Sequence, residues 1–338
     1  MTDEIRDSDG VVYGSLERVS AESAKLTVEK VIRTPTSSMP KEIPVTLAVN
    51  ARGIKRVVFL SQREDRWVVN RLDSISAEGA DYLAQIWLKR QQPAAERLAF
   101  FFLRLDSTDA RVAADAYAEF AKASYRSTRQ ASKYYDAAKI RRWINDPRAA
   151  PERVGLYGLL LGLLGRKEDA VFLASAVDAP TGVQINGLDG LLAGVYLIDP
   201  RQGRARITRF LVSKESSSLQ RSSALSTLRF VLAEVPPTNL EPWLREIEPA
   251  LDDPEIAGPL VDEYRKAKVW DAGPRILPLL EKLRDPSSVI RFALSTPMSE
   301  GAALVAQIEA ESPSLVADAR QTLAFEKDAR ELDLSRPD

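Results

Sequence analysis

Between Lys122 and Trp143 the sequence interleaves cations with aromatic rings: Lys122, Tyr125, Arg126, Arg129, Lys133, Tyr134, Tyr135, Lys139, Arg141, Arg142 and Trp143. Side chains of these two kinds held close together neutralise phosphates and stack on bases or sugars. The same composition suits a solvated helix face whose rings turn inward, which is the commoner origin of a charged run. A second basic stretch, Arg201, Arg204, Arg206 and Arg209, follows further along, and the segment from Glu241 to Glu263 is acidic. Charge segregated in this way fits a protein partner as well as an anion. The expected binding residues are those of the 122–143 cluster, and the expected partner is a protein.

Catalysis has little to work with. The chain contains neither histidine nor cysteine, which excludes Ser-His-Asp triads, Cys-His dyads, histidine zinc sites and disulfides. Only carboxylate, lysine, tyrosine or serine-lysine chemistry is left. The carboxylate pairs Glu64-Asp65 and Asp252-Asp253 fall where turns are expected, and capping accounts for them. Gly10, Gly14 and Gly53 are not spaced as a phosphate-binding loop. No catalytic residue, cofactor-binding residue or metal ligand is expected, and the reading is non-enzymatic. A formal net charge of −1 gives no global attraction to nucleic acid, which ranks below protein as a partner.

The elements that must position these residues change character once along the chain. Val11–Val19, Ala24–Arg33, Ile43–Val49, Arg56–Ser61 and Arg66–Leu72 are short, rich in branched and aromatic residues, and bounded by turn residues, which predicts five strands. So few strands in so short a segment favour a closed or nearly closed barrel, because an open sheet would expose two edges. After residues 74–76 the period becomes helical: Ala80, Leu83, Ala84 and Trp87, then Leu98, Phe101, Phe102 and Leu105. The domains read as 1–75, a small β-barrel; 76–325, helical; and 326–338, a charged tail.

Asp146-Pro147, Asp199-Pro200, Asp253-Pro254 and Asp285-Pro286 mark turns between helices. The longest apolar run, Val154–Leu164, is about half the length of a membrane span. Met1–Asp9 is charged and lacks the apolar stretch of an export leader, so an exported form is expected to have lost one.

A register repeats through the helical part. An arginine is followed two and five positions later by small residues: Arg111 with Ala113 and Ala116, Arg153 with Gly155 and Gly158, Arg221 with Ser223 and Ser226, Arg291 with Ala293 and Thr296. In the middle, Ile185 takes the arginine's place before Gly187 and Gly190. Gly155-Leu-Tyr-Gly-Leu-Leu-Leu-Gly162 matches Gly187-Leu-Asp-Gly-Leu-Leu-Ala-Gly194. Spacings of a few tens of residues are those of stacked helical hairpins, and the glycines predict close helix contact. Gly158–Gly162 and Gly190–Gly194 also have the spacing of a membrane helix motif, but their flanks are charged and core packing is the better reading.

With Asp285-Pro286-Ser-Ser-Val-Ile-Arg-Phe-Ala-Leu294, this register resembles the HEAT-repeat family over about 77–325. The resemblance implies a right-handed α-solenoid and a ladder between repeats in which Asp146, Asp285, Arg153, Arg221 and Arg291 are structural. The N-terminal segment, through Ala24–Ile32, Gly53–Ser61 and Arg66–Val69, resembles the OB-like barrel of the netrin and tissue-inhibitor type found in bacterial exported proteins. It lacks the cysteines of the animal members. That likeness implies an extracytoplasmic protein. The fold class expected is multidomain α and β, a small OB-like β-barrel followed by a HEAT-like α-solenoid, acting as an interaction scaffold. The alternatives are a nucleic-acid-binding solenoid similar to the HEAT-like alkylpurine DNA glycosylases, with Trp143, Tyr134 and Asp136 as candidates, or a component of an envelope assembly.

Overall fold

The computed structural model describes residues 2–20, 22–34, 41–47, 55–63 and 66–334. The end of the expected third strand, Gly53, Glu64-Asp65 and the last four residues of the tail lie outside the described residues. The chain divides into two compact units, Met1–Asp136 and Ala137–Asp338.

The first unit begins with a short helix, α1 (Thr2–Asp7), followed by β1 (Gly10–Arg18), β2 (Ser23–Arg33), β3 (Glu42–Leu47), β4 (Arg56–Arg63) and β5 (Arg66–Asp73). These strands close in the order β1-β2-β3-β5-β4. All pairs are antiparallel except β3 with β5. The expected barrel is present. Alternation along the strands sends Val12, Leu16, Leu26, Val45, Val58, Leu60 and Val69 into one core, as a half-buried strand's period of two requires. Register shifts in β1 between Val11 and Val12 and between Tyr13 and Gly14 let that strand curve enough to close.

Helix α1 had no counterpart among the expected elements, because six residues carry too little periodicity to read. Tertiary contacts hold it instead. Ile5 is buried, the Thr2 amide and hydroxyl donate to the Asp115 carboxylate at 3.2 and 2.8 Å, and Glu4 pairs with Arg71.

Four helices complete the first unit: α2 (Ala77–Lys89), α3 (Ala94–Phe102), α4 (Ala110–Lys122) and α5 (Tyr125–Gln130), with a 3-10 turn at Ala131–Tyr134. Ser76 and Asp109 cap α2 and α4 through their side chains. Helix α2 lies on β2, where Lys30 pairs with Asp81 and the Arg33 guanidinium covers the Trp87 ring at 4.6 Å.

The second unit, in its described residues, consists of helices joined by turns, with no strand among them. It comprises α6 (Ala137–Asn145), α7 (Pro151–Gly162), α8 (Lys167–Asp178), α9 (Leu188–Ile198), α10 (Pro200–Val212), α11 (Ser218–Glu234), α12 (Leu240–Ile247), α13 (Ala257–Lys266), α14 (Gly273–Ile276), α15 (Ser287–Ser295), α16 (Ser299–Glu311) and α17 (Pro313–Leu334). Short 3-10 segments at Glu248–Asp252 and Leu277–Glu281 coincide with prolines, which remove a helical donor. The expected gap in the arginine register is structural: Ile185 sits in a 3-10 helix, Gly182–Gly187, ahead of α9. Helix α17 runs past Phe325, and Arg265 of α13 holds Glu326 in a two-pronged contact at 2.7 and 3.0 Å.

Helices two apart in the chain pack on one another: α7 on α9, α9 on α11, α13 on α15, α15 on α17. Ion pairs repeat the same step. Arg141 of α6 reaches Asp169 of α8, Arg206 of α10 reaches Asp178 of α8, Arg204 of α10 reaches Glu246 of α12, Arg229 of α11 reaches Glu263 of α13, and Arg291 of α15 reaches Asp262 of α13. A chain of hairpins in which each helix meets its equivalent in the next hairpin has this pattern.

Candidate functional site

The residues of the 122–143 cluster divide between the two units, with Lys122 through Tyr135 in the first and Lys139 through Trp143 in the second. Two of the four rings are unavailable to a ligand. Tyr135 is buried, packs at a tilt against Phe102 and Phe120, and donates its hydroxyl to the Thr128 carbonyl at 2.8 Å. Burial pushes its phenol well above the ordinary tyrosine value. Trp143 is 8 % exposed and lies 4.9 Å from Tyr157, with the Lys139 ammonium 5.0 Å from its ring.

Lys122 and Arg141 are bound to carboxylates. Lys122 contacts Asp3 at 2.5 Å and Glu119 at 3.2 Å, which holds the Asp3 carboxyl below the usual aspartate range and raises the lysine. Arg141 pairs with Asp169, whose side chain is fully buried. In the second basic stretch Arg204 is held by Glu246 and both Arg206 and Arg209 by Asp178, while Arg201 is exposed. Burial works to raise the Asp178 carboxyl, but the two arginine hydrogen bonds outweigh it and hold it low.

An outward-facing set is left in the first unit on α5 and its 3-10 turn: Arg126, Arg129, Lys133 and Tyr134 are exposed, Tyr125 is half-buried, and the Lys133 ammonium lies 5.0 Å from the Tyr134 ring. Ser124 caps α5 by accepting the Ser127 amide at 3.1 Å, which fixes the turn that presents these residues. From Phe120 to Tyr135 the chain carries four cations and no carboxylate. Arg129 and Lys133 make no ion pair among the described residues. In the second unit Arg142 is exposed on α6.

A recess of about 370 Å³ in the first unit was not legible in the sequence. Trp87, Arg90, Arg97 and Phe100 line it beside Lys122, with the Arg90 guanidinium 3.8 Å from the Trp87 ring. Its residues come from α1, α2, α3 and α4, and no single stretch carries the pattern.

Among the described residues no group of carboxylates could hold a metal ion, and no helix is long and apolar enough to cross a membrane. No family model, curated protein or solved structure matches the chain.

Proposed function

We propose that the chain is a non-catalytic interaction scaffold with a HEAT-like helical array, and that it captures an acidic segment of a protein partner on the surface of α5 and its 3-10 turn. The observation that carries this reading is the division of the cations. Arg204, Arg206, Arg229 and Arg291 on the stacking helices pair with carboxylates two helices away, whereas Arg129 and Lys133 stand exposed beside Tyr134 on a stretch without a carboxylate. The helix-to-second-helix step of packing and ion pairing supports the HEAT-like organisation, since each hairpin buries its apolar face only against its neighbour.

A protein is favoured over nucleic acid on two grounds. The net charge of −1 offers no long-range attraction to phosphate, and Trp143 and Tyr135, the rings best suited to stacking, are buried.

Affinity capture with the full chain and with an R129A/K133A/Y134A variant tests the reading. The intact chain is expected to retain a specific protein that the variant releases. Equal capture by both, or recovery of nucleic acid whose binding weakens steeply with salt, contradicts it.

A further inference from the structure

The second unit contains a cleft of about 320 Å³ with walls from α11, α13, the turn before α15 and the first turns of α15 itself. Ser288, the second residue of α15, lines it. Ser288 is 5 % exposed and its hydroxyl has no hydrogen-bond partner among the described residues. A buried hydroxyl facing a cleft without a partner is an unusual expense in a folded chain and points to a ligand. Arg284 lines the same cleft, is exposed, and makes no ion pair among the described residues.

The cleft's carboxylates are engaged by donors of the protein. Asp262 is held by Arg291 at 2.5 and 3.1 Å and by Arg265 at 3.2 Å. Asp285 accepts from the Ser287 amide at 3.0 Å and from its hydroxyl at 2.5 Å. Arg229 pairs with Glu263. With three arginines and two aspartates on its walls the cleft carries a net positive charge.

We propose that this cleft binds a phosphate monoester, with the phosphate oxygens on the Ser288 hydroxyl, the Ser288 and Val289 amides of the first turn of α15 and the Arg284 guanidinium. The first amides of a helix have no acceptor within it, and the dipole at that end favours an anion. A hydroxyl, amides and a guanidinium are three kinds of donor, which suits a three-oxygen phosphate better than a two-oxygen carboxylate. The cleft is larger than a phosphate, and Pro254, Pro259 and Leu283 give it apolar walls for the ester's organic body. Gly258 adjoins the serine, since a β-carbon there would lie in ordinary contact with the Ser288 hydroxyl at 3.5 Å.

Calorimetric titration of the full chain with phenyl phosphate and with inorganic phosphate tests the assignment. Saturable one-to-one binding of phenyl phosphate is expected, with inorganic phosphate weaker. Arg284→Ala and Ser288→Ala should each weaken phenyl phosphate by about tenfold or more. Asp285→Asn keeps an acceptor for the Ser287 amide while removing a negative charge, and should tighten binding. Ser288→Ala removes only an unpaired hydroxyl, so its thermal midpoint should not fall. No saturable binding at millimolar ligand overturns the proposal. So does unchanged affinity in folded Arg284→Ala and Ser288→Ala variants, and equal affinity for inorganic phosphate overturns the monoester assignment.

Discussion

A β-carbon built on Gly190 would lie 1.9 Å from the carbonyl oxygen of Gly155, whereas one built on Gly155 meets nothing closer than the Asp189 carboxylate at 3.1 Å. In the repeated register Gly155 corresponds to Gly187 and Gly190 to Gly158, so Gly190 and Gly155 are neighbours across the contact of α7 with α9, and only Gly190 has a backbone atom in the way. Gly158, Gly162 and Gly194 extend the same close approach, each with facing backbone inside 3 Å of an added carbon. The glycines therefore let two helices meet backbone to backbone.

Gly190→Ala is expected to force α7 and α9 apart at a cost of about 3 kcal/mol or more, because a backbone carbonyl cannot rotate away as a side chain can. Gly155→Ala should be tolerated. It asks only the Asp189 side chain to give way, and alanine is the better helix former by about 1 kcal/mol. Urea unfolding of the two variants checks the asymmetry. Equal losses would mean that the approach is not as close as described.

Arg141 stood among the expected binding residues, and the structure pairs it with a carboxylate that has no exposure of its own. Arg141→Ala strands Asp169 as an unpaired buried charge, for a loss of about 3 kcal/mol. Adding Asp169→Asn should recover part of that loss, since the stranded group is then neutral. A residue that served only to bind a partner would leave the unfolding midpoint unmoved, so the same denaturation experiment separates the two roles.

Asp178 links stability to acid. Its carboxyl titrates below the ordinary aspartate value of 3.8 in the folded chain, because the hydrogen bonds from Arg206 and Arg209 outweigh the effect of burial. Its contribution is therefore fully present above the unfolded value and disappears as the pH falls through the lowered folded value. Asp178→Asn should be less stable than the wild type at neutral pH and lose less on acidification below pH 3.8. Unfolding free energies measured across that window check the sign.

The β-barrel and the change to helix after residues 74–76 were legible because alternation and helical period are local properties of sequence. Lys25-Leu-Thr-Val-Glu-Lys-Val31 reads as a strand without knowledge of its neighbours. The glycine match was legible for a related reason, since repetition reports that one environment occurs twice. Pairing was not. The resemblance offered Asp285 as a ladder partner for the arginine register, but Arg291 bonds Asp262 of α13, and Asp285 turns to the Ser287 amide instead. Arg221 does reach an aspartate of an Asp-Pro turn, Asp253 at 2.6 Å. Which carboxylate an arginine meets depends on the stagger between helices, and that is a tertiary property.

The site was the least legible part. Tyr134 and Tyr135 are adjacent, and nothing in their order says that one is 43 % exposed while the other is buried with its hydroxyl bonded to a carbonyl. The cleft at Ser288 gathers residues from Arg229 to Arg291, too far apart in the chain to be seen as a group.

The most direct test of the scaffold reading is quantitative binding of the captured partner to the full chain and to R129A/K133A/Y134A, with unfolding midpoints measured in parallel. Loss of about tenfold or more in affinity at an unchanged midpoint is the predicted result. Retention of full affinity by the folded variant would contradict it.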